Sequence, residues 1–245
     1  MHNKLPIKQI FLTGLRLPFD RHRQLLRLGW PAILLFLAPA FIPEIDEFAR
    51  LTFAYVILAI FTGVLGVVGC HRVFILDLDT AQKTSTFRWG SRETGFIVNF
   101  LVVSFLSFLI VMPIVAGISF LYIDEIITDD STGIKQILLE AGFMLPAYYL
   151  ISRWSLILPS CAIDVQLNLS SAWKLSKHNS LRLFVLVGII PVLTNLLFTH
   201  YLFFSESSMA HTLIENMTWM LVVVIEISFL SLSYEWLMKN YVTEE

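Results

Sequence analysis

Apolar residues occur along this chain in long runs rather than in alternation with polar ones. The runs 51–70, 96–123 and 183–204 contain no Asp, Glu, Lys or Arg. A helix of about 20 such residues crosses a bilayer core about 30 Å thick, where unpaired backbone groups are too costly. These three runs therefore predict transmembrane helices.

Three further apolar runs are interrupted by proline or by charged residues. Glu140 and Arg153 lie near the ends of one run, and Glu226 lies near the middle of another. The predicted fold is an all-α, polytopic membrane helix bundle that forms a single integral membrane domain over residues 1–245. Its six transmembrane helices are predicted at residues 28–43, 51–70, 96–123, 136–158, 183–204 and 216–237.

Lys and Arg lie mostly on one side of this predicted topology. They concentrate in the N-terminal arm and in the connections after the second and fourth spans, whereas the opposite connections contain only Arg50 and Lys135. The positive-inside rule therefore predicts cytoplasmic N and C termini. The basic arm, the first apolar run and Ala38-Pro39-Ala40 also imitate a secretory signal with its cleavage site, which is the alternative for this segment.

A basic, aromatic stretch precedes each odd-numbered span, at residues 21–30, 87–92 and 170–178. Such stretches form amphipathic helices that lie in the membrane interface, with Lys and Arg directed at anionic headgroups. Their recurrence predicts interfacial helices on the cytoplasmic side and a three-fold repeat of interfacial helix plus hairpin. The alternative is that charge bias and aromatic belts produce this likeness in any multi-pass protein.

The second predicted span carries a line of small residues. Ala59, Gly63, Gly66 and Cys70 recur at helical spacing, and Gly69 extends the line. Because small side chains let helix backbones approach closely in a membrane, this line predicts a contact face with another helix.

The segment from Arg153 to Arg182 is the most distinctive in the sequence. Arg153 ends a predicted helix and is followed by Pro159, Asp164, the run Ser171-Ala172-Trp173-Lys174-Leu175-Ser176-Lys177, and Arg182. This pattern resembles bacterial six-helix membrane proteins of the YciC-like type, and is similar to the membrane domain fused upstream of some glycerophosphodiester phosphodiesterases. That family usually has a glutamate at the position of Asp164. The resemblance implies a multi-pass protein of the bacterial inner (cytoplasmic) membrane, linked to the lipid envelope. The phosphodiesterase activity of the fused domain is not carried over to this chain.

The same segment contributes most of a candidate interfacial site. Pro159 cannot continue a helix without losing a backbone hydrogen bond, so the chain is expected to turn there. Arg153 either extends to the headgroups or pairs with Asp164, since a buried cation needs a partner. The site therefore pins the turn or binds a headgroup. Its candidate residues are Arg72, Arg153, Asp164, Trp173, Lys177 and Arg182.

A second candidate site lies within the membrane. A carboxylate in the middle of a span, such as Glu226, costs about 3 kcal/mol, so it is expected to be protonated, paired or beside water. Asn195, Tyr148 and Tyr149 are predicted at a similar depth. Together they form either a proton- or cation-coupled transport site or a neutral hydrogen-bonded contact between helices.

Composition and motifs narrow the function classes. Hydrophobic residues make up 56% of the chain and charged residues 15%, which excludes a soluble enzyme, a disordered chain and a nucleic-acid binder. No zinc-protease, P-loop, GxSxG or dinucleotide motif occurs, so no catalytic residue, metal or cofactor is predicted. We therefore predict a non-catalytic protein that acts through anionic lipids at its cytoplasmic face, or through a membrane protein partner or homo-oligomer. The alternative is a small-solute or ion permease or channel component that uses Glu226.

Overall fold

A computed structural model of the chain describes residues 3–41, 49–77, 80, 87–128, 134–198 and 209–241. These residues form α-helices with short 3₁₀ and π segments, and none of them forms a β-strand. The predicted all-α class is confirmed.

The helices are numbered in chain order. The first two are α1 (Ile7–Asp20) and α2 (His22–Leu37), followed by a 3₁₀ turn (Ala38–Ala40). The others are α3 (Ala49–Ile75), α4 (Ser91–Thr128), α5 (Ile134–Trp154), α6 (Ile157–Ala162), α7 (Leu169–Leu175), a 3₁₀ turn (Lys177–Asn179), α8 (Ser180–Phe184), a π segment (Val185–Ile189), α9 (Ile190–Leu197) and α10 (Met209–Tyr241).

Within the described residues, four helical stretches are long and apolar enough to cross a bilayer. They are Thr52–Ile75, Ser91–Gly117, Lys177–Leu197 and Met209–Tyr241. The prediction of six spans is therefore not confirmed. The first predicted span corresponds to α2, which has only 16 residues, and the fourth to α5, which contains Pro146 as well as Glu140 and Arg153.

The predicted repeat of interfacial helix and hairpin is not confirmed either. The stretch 170–178 does contain a separate short helix, α7. The first stretch, however, is continuous with the apolar part of α2, and in the second stretch residues 88–90 are not helical before α4 begins at Ser91. The three stretches thus adopt three different structures.

The structure adds a helix, α1, that packs antiparallel against the C-terminal half of α10. Its buried residues Ile10, Gly14 and Pro18 recur every four positions and form one face. A Cβ on Gly14 would lie 2.4 Å from the ring of Phe229, so only glycine permits this approach. Because Pro18 has no N–H, it leaves the Gly14 carbonyl without its helical partner, and Ser228 Oγ donates to that carbonyl at 2.7 Å.

The line of small residues on α3 marks its contact with α2, as predicted. A Cβ on Gly69 would lie 3.3 Å from Leu28 Cβ, and one on Gly66 would lie 3.4 Å from Ala32 Cβ. At Gly63 an added Cβ would meet no described atom within 4 Å. The close approach therefore involves the C-terminal part of the line.

Buried side chains concentrate where α3, α5 and α10 end and α4 and α8 begin. Leu5, Leu156 and Leu183 are completely buried there, and Tyr234 is 2% exposed. We call this region, which comprises residues 3–20, 68–76, 87–96, 152–183 and 228–241, the packed end. It contains most of the hydrophobic core together with the candidate interfacial site.

The spans away from this end expose apolar side chains. Of the most apolar part of the span in α4, 18% is buried inside the protein. Such a surface fits a lipid solvent, because lipid tails are as apolar as these side chains. We call it the exposed apolar surface; it includes Phe53, Ile57, Phe100, Phe105 and Phe108.

Candidate functional site

Asp164 connects two helices to the turn that follows α6. It adopts a left-handed backbone conformation with φ of 64°, which Asp and Asn tolerate better than most residues do. Arg92 of α4 donates from Nε to Oδ1 at 2.8 Å and from Nη2 to Oδ2 at 2.7 Å, a bidentate pair. Arg72 of α3 donates from Nη1 to Oδ2 at 3.3 Å. One carboxylate thus holds together α3, α4 and the turn.

The charge of Asp164 is stabilised by these partners. The hydrogen bonds from Arg92, reinforced by the positive charges of Arg92 and Arg72, hold the pKa of the Asp164 carboxyl below its usual range, although partial burial opposes this effect. Its side chain is 56% exposed, so solvent weakens the attraction. The group is therefore a structural ion pair at the surface.

Arg153 occupies a different environment from the one predicted. It is 5% exposed, and it donates from Nε to Ser176 Oγ at 2.9 Å and from Nη2 to the Trp173 carbonyl at 2.6 Å. Its guanidinium carbon lies 3.3 Å from the centroid of the Trp173 ring, whose face attracts cations. The expected extension to the headgroups and the expected pairing with Asp164 are both wrong.

The turn also differs from the prediction. Helix α5 ends at Trp154, and Pro159 does not end a helix but is the third residue of α6. Proline is tolerated in a first helical turn because its missing N–H would have no intrahelical partner. The chain therefore turns both before and after α6, and the second turn directs Asp164 toward α3 and α4.

The N-terminal arm is fixed to the start of the fifth predicted span. Leu5 N donates to Asn179 Oδ1 at 2.8 Å, and Arg182 Nη1 donates to the Leu5 carbonyl at 2.8 Å. The Asn179 amide nitrogen also donates to the Asn3 carbonyl at 3.2 Å. Arg182 thus positions the arm.

Four arginines at or next to the packed end donate to backbone carbonyls. Arg72 donates to the Ala162 carbonyl at the end of α6, and Arg21 donates to the Val73 and Leu76 carbonyls at the end of α3. Arg153 and Arg182 also bond backbone carbonyls, as described above. The ends of α3 and α6 leave carbonyls unpaired and carry partial negative charge, which the multi-donor guanidinium groups of Arg21 and Arg72 satisfy. These contacts support the turn-pinning alternative for the arginines.

The predicted interfacial residues therefore separate into distinct groups. Arg72 lies with Asp164, Arg153 lies with Trp173, and Arg182 lies with the arm, whereas Lys177 is exposed. Sequence reasoning missed the roles of Arg21, Arg92, Ser176 and Asn179. Arg92 belonged to a recognised basic stretch, but no spacing rule links it to a carboxylate 72 positions away.

The predicted intramembrane residues come together only in part. Glu226 of α10 is partly buried and lies close enough to Tyr148 of α5 for an electrostatic interaction. Tyr149 instead packs edge-on against Trp173 and Phe184, with ring centroids 6.5 and 5.4 Å apart. Asn195 lies in α9, also partly buried. Of the four predicted residues, Glu226 and Tyr148 are thus the two that interact electrostatically.

A cavity of about 430 Å³ opens at the packed end, beside Lys177. It lies between the arm, the segment from α7 to the 3₁₀ turn at Lys177–Asn179, and the last turns of α10. Its lining residues are Asn3, Lys174, Leu175, Lys177, His178, Asn179, Trp236, Leu237, Asn240 and Tyr241. Among the described residues, no cluster of His, Cys, Asp and Glu could hold a metal ion.

The fold and these sites define a class: an all-α protein with four helices that could span a membrane. No family model matches the chain, and no curated protein or solved structure matches it. The resemblance to YciC-like proteins therefore stays a prediction.

Proposed function

We propose that this chain is a non-catalytic integral membrane protein that binds anionic lipid at its packed end. The proposal rests on the different environments of the cationic side chains. Four of them donate to backbone carbonyls, namely Arg21, Arg72, Arg153 and Arg182. Other Lys and Arg side chains at or near the packed end are exposed. The exposed cations include Lys4, Lys8, Arg16, Arg23, Arg88, Lys174 and Lys177.

Two further features support a position at a lipid headgroup layer. Trp30 and Trp173 are partly exposed, at 46% and 36%, and tryptophan favours the membrane interface. Clustered Lys and Arg next to apolar spans attract anionic headgroups, each by about 1 kcal/mol near the surface. The same proposal includes a second mode of action, in which a membrane protein partner or a second copy of the chain binds the exposed apolar surface.

The lipid preference can be measured on purified protein in neutral detergent. Native mass spectrometry would count bound short-chain phosphatidylglycerol and phosphatidylcholine at salt concentrations from about 0.05 to about 0.5 M. We expect phosphatidylglycerol to be preferred and the preference to shrink with salt, because ions screen exposed charges. Equal binding of the two lipids at low salt would overturn the proposal.

The proposed topology adds α2 and α5 to the four apolar stretches and gives six spans, in the bacterial inner membrane, with both termini cytoplasmic. The Lys and Arg of the N-terminal arm and of the connections 71–95 and 159–182 support this orientation, because the opposite connections contain only Arg50 and Lys135. Fusions of alkaline phosphatase are expected to be active after residue 131 and inactive after residue 245. Activity at the C terminus would contradict the orientation.

The Glu226–Tyr148 pair favours a second candidate function, a permease or channel component. A carboxyl group within a membrane span can accept and release a proton. Vesicles containing the protein and a trapped pH dye would report proton flux, with the Glu226→Gln variant as the comparison. Flux that depends on Glu226 would favour the permease; identical behaviour of both proteins would favour the lipid-binding function.

A further inference from the structure

The cavity beside Lys177 has walls that are fixed by hydrogen bonds. Asn3 Nδ2 donates to Asn240 Oδ1 at 2.9 Å, which joins the arm to the last turns of α10. Asn179, which is buried, bonds both the Asn3 carbonyl and the Leu5 N–H. Three separate parts of the chain are thus held around one space, so the cavity does not depend on a single flexible side chain.

The chemistry of the lining is cationic on one side and amphipathic on the other. Lys174 and Lys177 contribute two ammonium groups, and none of the residues that line the cavity is acidic. Leu237, Trp236 and Tyr241 of α10 form the opposite wall. A ligand that fits this lining carries concentrated negative charge next to a short apolar part.

We propose that this cavity binds the phosphate monoester headgroup of an anionic lipid, with Lys174 and Lys177 contacting the phosphate. A phosphate monoester carries a charge of about −1.5 to −2 near pH 7, which matches two ammonium groups better than a singly charged diester does. The volume of about 430 Å³ lies in the range of small-ligand sites. Trp236 and Tyr241, the more exposed residues of the apolar wall, would then contact the glycerol and the first acyl carbons. The inference rests on the proposed function and specifies where and how the lipid is recognised.

The test compares two double variants that each remove two positive charges, one pair inside the cavity and one pair outside it. Lys174→Gln with Lys177→Gln empties the cavity of its ammonium groups. Lys8→Gln with Arg23→Gln removes two exposed cations that do not line the cavity. Because all four side chains are exposed, both variants are expected to fold, and unfolding temperatures in detergent check this.

Each protein is titrated with dioctanoyl phosphatidate, dioctanoyl phosphatidylcholine and free glycerol 3-phosphate. We expect wild type to prefer phosphatidate, the cavity variant to lose about tenfold in phosphatidate affinity, and the control variant to lose less than about threefold. Arginine at both lysine positions is expected to keep the affinity, since it keeps the charge.

The outcomes separate this inference from the function on which it rests. Equal losses in the two double variants, with the phosphatidate preference of wild type intact, would overturn the cavity site and leave the lipid-binding function standing. Equal binding of phosphatidate and phosphatidylcholine by wild type would overturn both. Binding of glycerol 3-phosphate as tight as that of phosphatidate would overturn the lipid as the source of the phosphate.

Discussion

The packed end and the exposed apolar surface use the same helices in opposite ways. In α3, Phe53 and Ile57 are 68% and 52% exposed, whereas Val68 and Val73 near the other end are 1% and 0% exposed. These four side chains are all apolar, so residue class does not explain the difference in their exposure. Lipid therefore solvates an apolar helix along its length, whereas tight packing is needed where the chain turns and its backbone groups lose their helical partners.

The packed end also buries polar groups that the exposed apolar surface lacks. His71 of α3 is 1% exposed, and its Nδ1 forms a 2.7 Å hydrogen bond with Ser231 Oγ of α10. Arg153 and Asn179 are likewise buried with partners. Because a buried polar group without a partner is costly, these bonds fix one arrangement of the helices there.

The two regions are expected to differ most in how much free energy of unfolding is lost when a phenylalanine is replaced by alanine. Phe229 is 1% exposed and stacks on Phe11 with ring centroids 5.4 Å apart, whereas Phe105 is 63% exposed. We expect Phe229→Ala to lower the free energy of unfolding by about 3 kcal/mol, because it leaves a cavity. The control Phe105→Ala should change it by less than about 1 kcal/mol. Unfolding in mixed detergent micelles measures both, and equal effects would remove the distinction.

The next effect is expected at the buried cation. Arg153→Ala removes two charge-assisted hydrogen bonds and the contact with the Trp173 ring, so we expect a loss of about 2 kcal/mol. Arg23, which is exposed, supplies the control, and Arg23→Ala should cost less than about 0.5 kcal/mol. If the two losses were the same, Arg153 would not stabilise the turn.

Replacing a glycine by alanine, which adds one methyl group, is expected to change the free energy of unfolding less. The change should be a loss in the packed end and a gain in the part of α3 outside it. Gly14→Ala places a Cβ against Phe229 and should cost about 1.5 kcal/mol, because the packed helices must separate. Gly63→Ala meets no described atom within 4 Å and should gain up to about 1 kcal/mol, because alanine favours helix. Unfolding in mixed detergent micelles measures both variants. If Gly63→Ala also destabilised the protein, position 63 of α3 would be packed as well.

The smallest effect is expected at the exposed ion pair. Asp164→Asn keeps a residue that tolerates positive φ but removes the charge, and should cost less than about 1 kcal/mol. Since the folded-state pKa of Asp164 is lowered, its contribution is complete above the unfolded pKa of about 3.9 and is lost as pH falls through the folded value. The difference in stability between wild type and variant should therefore vanish on acidification. A difference that is independent of pH would contradict the ion pair.

The spans were largely predictable, whereas the packed end was not. Long charge-free runs encode apolar helices directly, so α3, α4 and the stretch from α8 to α9 were found, and α10 was found despite Glu226. The pairing of Arg153 with Asp164 failed because α6 lies between them and reorients the chain. Helix α1 was missed because its buried face is recognisable only once α10 packs against it. The Gly14–Ser228 hydrogen bond joins residues that are 214 positions apart.

We expect the exposed apolar surface to face hydrocarbon and the packed end to lie at the aqueous boundary. The most direct measurement is electron paramagnetic resonance of a spin label placed at Phe105→Cys or Lys174→Cys, with Cys70 and Cys161 replaced by alanine, in lipid vesicles. We predict that oxygen, which concentrates in lipid, relaxes the label at 105, and that a water-soluble nickel complex relaxes the label at 174. Strong relaxation of both labels by the nickel complex would contradict the account.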